Sequence, residues 1–131
     1  MPHPYFSHGT LVFGLLPAVF GFNALLRPEA ALRSVEFPVP TQPESRKLTA
    51  SLMRIYGIRN VAVSYLLTLI WSTGNEKLMG AGLVAGLAMT FTDGLVSKSL
   101  IGGGEWNHWS FAPVIAGLQA GLFGYFQGWG L

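Results

Sequence analysis

Cysteine is absent from this chain, which excludes a disulfide framework, a thiolate metal site and a cysteine nucleophile. Charge is also scarce. Only 11% of the 131 residues are Asp, Glu, Lys or Arg, against about a quarter in an ordinary water-soluble domain. The net charge of +2 comes from a small imbalance among few ionisable groups, so no nucleic-acid-binding face is expected. Glycine is plentiful, yet Gly102, Gly103 and Gly104 follow no strand signal and precede no Lys-Ser/Thr pair, which rules out a phosphate-binding loop. No nucleotide or haem motif occurs, and no cofactor is expected.

What the sequence has in quantity is apolar length. Half of its residues are hydrophobic, gathered into runs over 10–26, 50–71, 77–98 and 109–129. A hydrocarbon layer of roughly 30 Å needs about 20 helical residues, and each run approaches that length. The expected fold class is all-α: an integral membrane bundle of four transmembrane helices forming one domain over 1–131. Pro17 is expected to kink the first span. That span superficially resembles a signal peptide, but "MPHPYFSH" lacks a basic leader, and it reads as a retained helix.

Three connections join the runs. The longest, 27–49, holds four prolines; 29–35 reads as a short interfacial helix and 37–43 as extended chain, because Pro38, Pro40 and Pro43 remove donors and fix φ. "STGNEK" reads as a tight turn, and "IGGGEWNHW" as a flexible hinge. Four spans place both termini with the 72–76 turn on one side. Arg27, Arg33, Arg46, Lys47 and Lys98 fall on the other. The excess of basic residues there predicts cytosolic loops at 27–49 and 99–108 and lumenal termini, with the endoplasmic reticulum as the expected membrane.

On this topology polar residues from all four spans meet in the cytosolic half. Asn23 and Arg27 end the first span, while Arg54, Tyr56, Arg59 and Asn60 open the second. Thr90, Asp93 and Ser97 form a stripe at three- and four-residue spacing on the third. Glu105, Asn107 and His108 precede the fourth. An unpaired carboxylate inside a membrane costs about 2.5–3.5 kcal/mol on insertion scales, so Asp93 is expected to face inward and pair bidentately with Arg59. Arg54 is expected to snorkel to lipid phosphates. Bland readings stand beside these: a buried Arg59–Asp93 tie between helices, Tyr56 and Trp106 as interfacial aromatics, and His108 and Glu105 as solvated loop residues. One His and two carboxylates on the polar side are too few for a metal site. Gly82 with Gly86, and Gly117 with Gly121, read as small-residue faces for close helix approach or homo-oligomerisation.

"YGIRN" opening the second span, "TDGLV" closing the third, and the Gly-rich, His-containing loop before the fourth resemble a family of small four-helix integral membrane proteins. That family is common in filamentous fungi and was long described only as a domain of unknown function. The resemblance covers most of residues 10–128. It implies a place in polyketide or terpenoid gene clusters, where such proteins are implicated in opening epoxides or cyclising lipophilic intermediates. The family usually has Asp after the Arg where this chain has Arg59-Asn60, which leaves Glu105 as the candidate second carboxylate.

Epoxide opening needs a base for water or an internal hydroxyl and an acid for the departing oxygen. Asp93 held by Arg59 suits the base, with Tyr56, His108 or Glu105 as the acid. Asn60, Asn23, Thr90 and Trp106 are candidates to bind the polar end of a lipophilic substrate. Phe13, Phe20, Leu66 and Met89 would take its apolar body. The competing expectations are an isomerase or terpenoid cyclase with Asp93 as acid, an anthrone-type oxygenase, and a non-catalytic scaffold or carrier subunit.

Overall fold

The computed structural model describes residues Met1–Leu131 as an all-helical chain. Its elements are α1 (Pro4–Leu26), α2 (Pro28–Ser34), α3 (Pro43–Ser72), α4 (Glu76–Ile101), α5 (Trp106–Trp109) and α6 (Ala112–Leu122), followed by a short 3-10 turn, Gln127–Trp129. Two of them, α1 and α4, are long and apolar enough to cross a membrane; at 1.5 Å per residue, their 23 and 26 residues extend about 34 and 39 Å. The third long helix, α3, has 30 residues but carries Arg46, Lys47, Arg54 and Arg59 within its first 17.

Proline at the first helical turn starts α1, α2 and α3, where its missing N–H would be unsatisfied anyway and its φ suits a helix. This corrects one expectation. Pro43 does not prolong the extended segment but begins α3, seven residues before the apolar run, while Pro38 and Pro40 do lie in non-helical chain. The short helix expected over 29–35 forms as α2, with Glu29 in its first turn and Arg33 in its last, both favourable to the helix dipole. At α4 the Asn75 side chain accepts from the Leu78 N–H at 2.9 Å, and Gly102 ends the helix at φ 70°.

The last apolar run departs most from expectation. In place of one helix over 109–129 there is α5, a break at Ser110–Phe111, an α6 of 11 residues, and turns up to the 3-10 segment. Pro113 restarts the helix in its first turn, and Gly124 at φ 84° terminates the regular backbone.

Packing divides into two principal pairs, α1 on α3 and α4 on α6, joined by α1–α6 and α3–α4 contacts. The α1–α3 crossing is the tightest. A Cβ added to Gly57 would stand 2.6 Å from the Gly21 carbonyl oxygen, and one added to Gly21 would stand 2.5 Å from that of Gly57. The glycine pairs singled out in the sequence behave differently. Gly121 seats the Phe6 ring, Gly82 meets the side chains of Ile70 and Leu67, Gly86 makes ordinary contact with Ile115, and Gly117 faces open space. Between α4 and α6 lies a cluster of Met79, Leu83, Ile115 and Leu122, and Gln119 donates to the Gly80 carbonyl at 2.8 Å.

The two ends of the bundle differ. His3, His8, Glu76 and Gln127 line an open groove where the termini meet the start of α4. At the other end Asn107 donates to Glu36 at 3.2 Å, linking the two polar connections. Few residues are buried, and large apolar side chains such as Val19, Phe22, Ile58, Leu66 and Phe91 stand exposed.

The α1–α3 crossing generates a paired prediction. Gly57→Leu should destabilise the fold towards the upper end of the about 1–3 kcal/mol typical of overpacking, because backbone on the facing helix cannot move aside. Gly117→Leu should leave the midpoint nearly unchanged. Thermal unfolding of both variants in detergent checks this. A second prediction concerns α2. The Arg46 hydrogen bond holds the Glu29 carboxyl below its ordinary range, with burial opposing and the Arg46 and Arg33 charges assisting. A depressed carboxylate pKa stabilises the tie above the unfolded value of about 4.3 and loses it as pH falls through the lowered folded value. A nitroxide at Ala30→Cys, the only thiol in such a chain, should therefore stay immobile at neutral pH and gain mobility only in that acid window. With Glu29→Gln added, it should be mobile at every pH.

Candidate functional site

Three helices turn one face each towards a shared cavity of about 300 Å³. On α3 the facing residues are Tyr56, Asn60, Val63 and Leu67; on α4 they are Leu83, Gly86, Thr90 and Asp93. Both sets follow three- and four-residue spacing, one stripe per helix. From α1 come Phe13, Phe20 and Asn23, and Asn107, His108 and Phe111 come from the segment around α5. Leu83 and Ile115 belong to both the cavity wall and the packed cluster, so the apolar end of the cavity rests on the core.

The opposite, polar end is roofed by α2 and the residues after it, through Ala31, Ser34 and Val35. Glu29 holds this roof to α3, accepting from Arg46 Nε at 2.5 Å and Nη2 at 2.8 Å. Glu36, the one non-glycine residue with positive φ (63°), holds it to Asn107. The roof was not foreseen, since a proline-rich connection has no hydrophobic period to show which way it folds.

Asp93 and Arg59 meet, as their depths suggested, but not as a fork. One bond, Arg59 Nη2 to Asp93 Oδ1 at 3.3 Å, joins them, and Oδ2 has no protein partner. The pair is also unsymmetrical: the Asp93 side chain is 20% exposed and lines the cavity, while that of Arg59 is 45% exposed and lies outside the lining. The guanidinium carbon stands 5.0 Å from the centre of the Tyr56 ring, a cation–π arrangement that steadies both. Arg54 has a partner within the protein. Its Nε donates to the Leu25 carbonyl at 3.4 Å, compensating the carboxyl end of α1.

His108 is not the solvated loop residue of the bland reading. It lines the cavity, and its Nε2 is fully buried without a hydrogen-bond partner. Burial pushes its pKa down, with the Asp93 charge opposing, so the ring is neutral near pH 7. Glu105 goes elsewhere: it lies 3.9 Å from Lys98 and does not line the cavity. Trp106, expected at the substrate, is 68% exposed and outside the lining, packing edge-on to Trp109. Leu66, expected beside the apolar body, is exposed on the outer face of α3. Asn23, Asn60, Thr90, Phe20 and Met89 all line the cavity. No three His, Asp or Glu side chains converge anywhere in the chain.

The motif glycines turn out to be packing devices. Gly57 of "YGIRN" makes the α1–α3 crossing, and Gly94 of "TDGLV" leaves space for the Trp109 indole, whose Nε1 donates to the Phe91 carbonyl at 3.3 Å. The hinge expected at 102–104 is a closed turn. Ser97, fully buried, donates to the Gly103 carbonyl at 2.9 Å, and Gly102 and Gly104 both take positive φ. Ser97 thus ends the polar stripe of α4 by fixing the loop that delivers His108.

No curated protein and no solved structure matches this chain. A family profile does, over residues 14–122, a range that includes the α1–α3 crossing, the Arg59–Asp93 pair and His108. The chain belongs to the DUF4267 family, a domain of unknown function.

Proposed function

We propose that this protein is a membrane-embedded enzyme that opens an epoxide in a lipophilic biosynthetic intermediate, by hydrolysis or cyclisation. The observation that carries the reading is that the side chains of Asp93, Tyr56 and His108 line one largely apolar cavity. The bilayer setting draws on the apolar lengths of α1 and α4 and on the large side chains left exposed around the bundle, which in water would form an unusually extensive apolar surface. In this reading all four apolar segments lie in the membrane of the endoplasmic reticulum, the last as a broken helix. The basic end, with the α2 roof, faces the cytosol, and the termini face the lumen. The resemblance to fungal proteins of polyketide and terpenoid clusters supports the same setting.

In the proposed reaction, Asp93 takes a proton from water or from a substrate hydroxyl. The oxygen thus activated forms a new C–O bond while the oxirane C–O bond breaks. The departing oxygen receives a proton from Tyr56 or His108, and transfer from Asp93 restores that donor, so hydrolysis adds one water overall. Arg59, bonded to Oδ1 at 3.3 Å, holds the Asp93 side chain in position and leaves Oδ2 for the proton transfer. Asn60 and Thr90 are placed to orient water or the epoxide oxygen.

Other readings fit less well. A cyclase using Asp93 as its acid requires a protonated carboxyl, and the Arg59 contact at 3.3 Å works against it. A purely structural tie would leave no cavity beside the pair, and a cavity of about 300 Å³ adjoins it. Asp93→Asn should lower turnover of lipophilic epoxides in microsomes by at least about 100-fold, the lower range for loss of general-base catalysis, while the protein still accumulates. Arg59→Leu should lower it comparably. Full activity in Asp93→Asn would remove the base assignment, and loss of both proteins from the membrane would favour the structural tie.

A further inference from the structure

We propose that the cavity takes a neutral, compact lipophile with one hydrogen-bonding head, and that it rejects both the corresponding anion and sterol-sized molecules. This narrows the substrate class for the site proposed above and rests on that reading.

Size sets the first limit. A volume of about 300 Å³ lies at the lower end of small-molecule pockets, which run from roughly 300 to 1,000 Å³, and suits a compact ligand. The aromatic lining favours a flat or unsaturated body, with Phe20 and Phe111 edge-on at 6.5 Å between ring centres.

Charge sets the second. Asp93 is the only formally charged residue of the lining. The cations nearby are engaged outside the cavity: Arg59 on the outer side of Asp93, Arg54 on the Leu25 carbonyl and Lys98 beside Glu105. A carboxylate or phosphate would meet the Asp93 carboxylate, already bonded to Arg59, and would find no cation in the lining to pair with, which favours a neutral head. Hydrogen bonding sets the third. Asp93 Oδ2 is an acceptor without a partner, and Asn60, Thr90 and His108 line the same cavity. A ligand hydroxyl at this end gives that acceptor a donor, and an oxirane oxygen can accept from a side-chain amide, hydroxyl or imidazole. The walls beyond are apolar, and a second polar group on the ligand body would go unpaired.

The test uses the full chain in lipid nanodiscs with 2-naphthol, 2-naphthoate and naphthalene, each corrected for partition into protein-free discs. Saturable binding of 2-naphthol is expected, about tenfold or more tighter than for either analogue and weakened about tenfold in His108→Phe, with cholesterol failing to compete. Equal binding of 2-naphthoate, competition by cholesterol, or no saturable 2-naphthol binding would overturn the inference. The wild-type comparison decides the matter even if His108→Phe does not fold. Failure here is separable from failure of the enzymatic reading. Asp93-dependent epoxide turnover without the expected ligand selectivity removes only this inference, whereas selectivity without such turnover removes only the enzymatic reading.

Discussion

The backbone contact between Gly21 and Gly57 governs the geometry of everything near it. With no Cβ on either residue, α1 and α3 approach until each glycine position lies against the other helix's carbonyl oxygen. Two residues beyond Gly21, Asn23 enters the cavity wall; flanking Gly57, Tyr56 and Asn60 enter it from the facing helix. A single methyl group at the crossing would separate these polar side chains as well as the helices that carry them. The close approach also brings the carboxyl end of α1 within reach of Arg54, so the crossing and the compensation of that helix end reinforce each other.

A second set of ties closes the polar end. The Glu29–Arg46 pair and the Asn107–Glu36 bond fasten α2 and its following residues over the cavity from two directions. Surface ion pairs contribute little to stability, commonly below about 1 kcal/mol. Their value here is positional: they keep a short helix, which has no stability of its own, above a particular opening. The closed turn at 102–104 serves the same purpose for His108, and the buried Ser97 hydroxyl takes the role of a staple.

Much of the site was legible in the sequence because it follows helical period. The stripe of Thr90, Asp93 and Ser97 comes from residues three or four apart on one long helix, and the pairing of Asp93 with Arg59 from their comparable depth on neighbouring helices; of the face shared by Tyr56, Arg59 and Asn60, Arg59 lies outside the cavity lining. What stayed hidden lies in segments without period or in contacts between distant positions. The roof is built from a proline-rich connection whose direction no pattern encodes. Of the glycines read as close-approach faces, Gly121 receives the Phe6 ring and Gly117 faces open space, while the backbone crossing uses Gly21 and Gly57, which are 36 positions apart. Glu105 looked equivalent to Asp93 as a carboxylate, but Lys98 offers it an ion pair away from the cavity.

The unsymmetrical tie to Arg59 has a consequence for Asp93 itself. Its two oxygens are not interchangeable, because Oδ1 is committed to the guanidinium and only Oδ2 is free. A hydrogen-bond donor brought to Oδ2 would not have to displace the guanidinium from Oδ1. The carboxylate can therefore take a second partner on one side without the two helices letting go of each other.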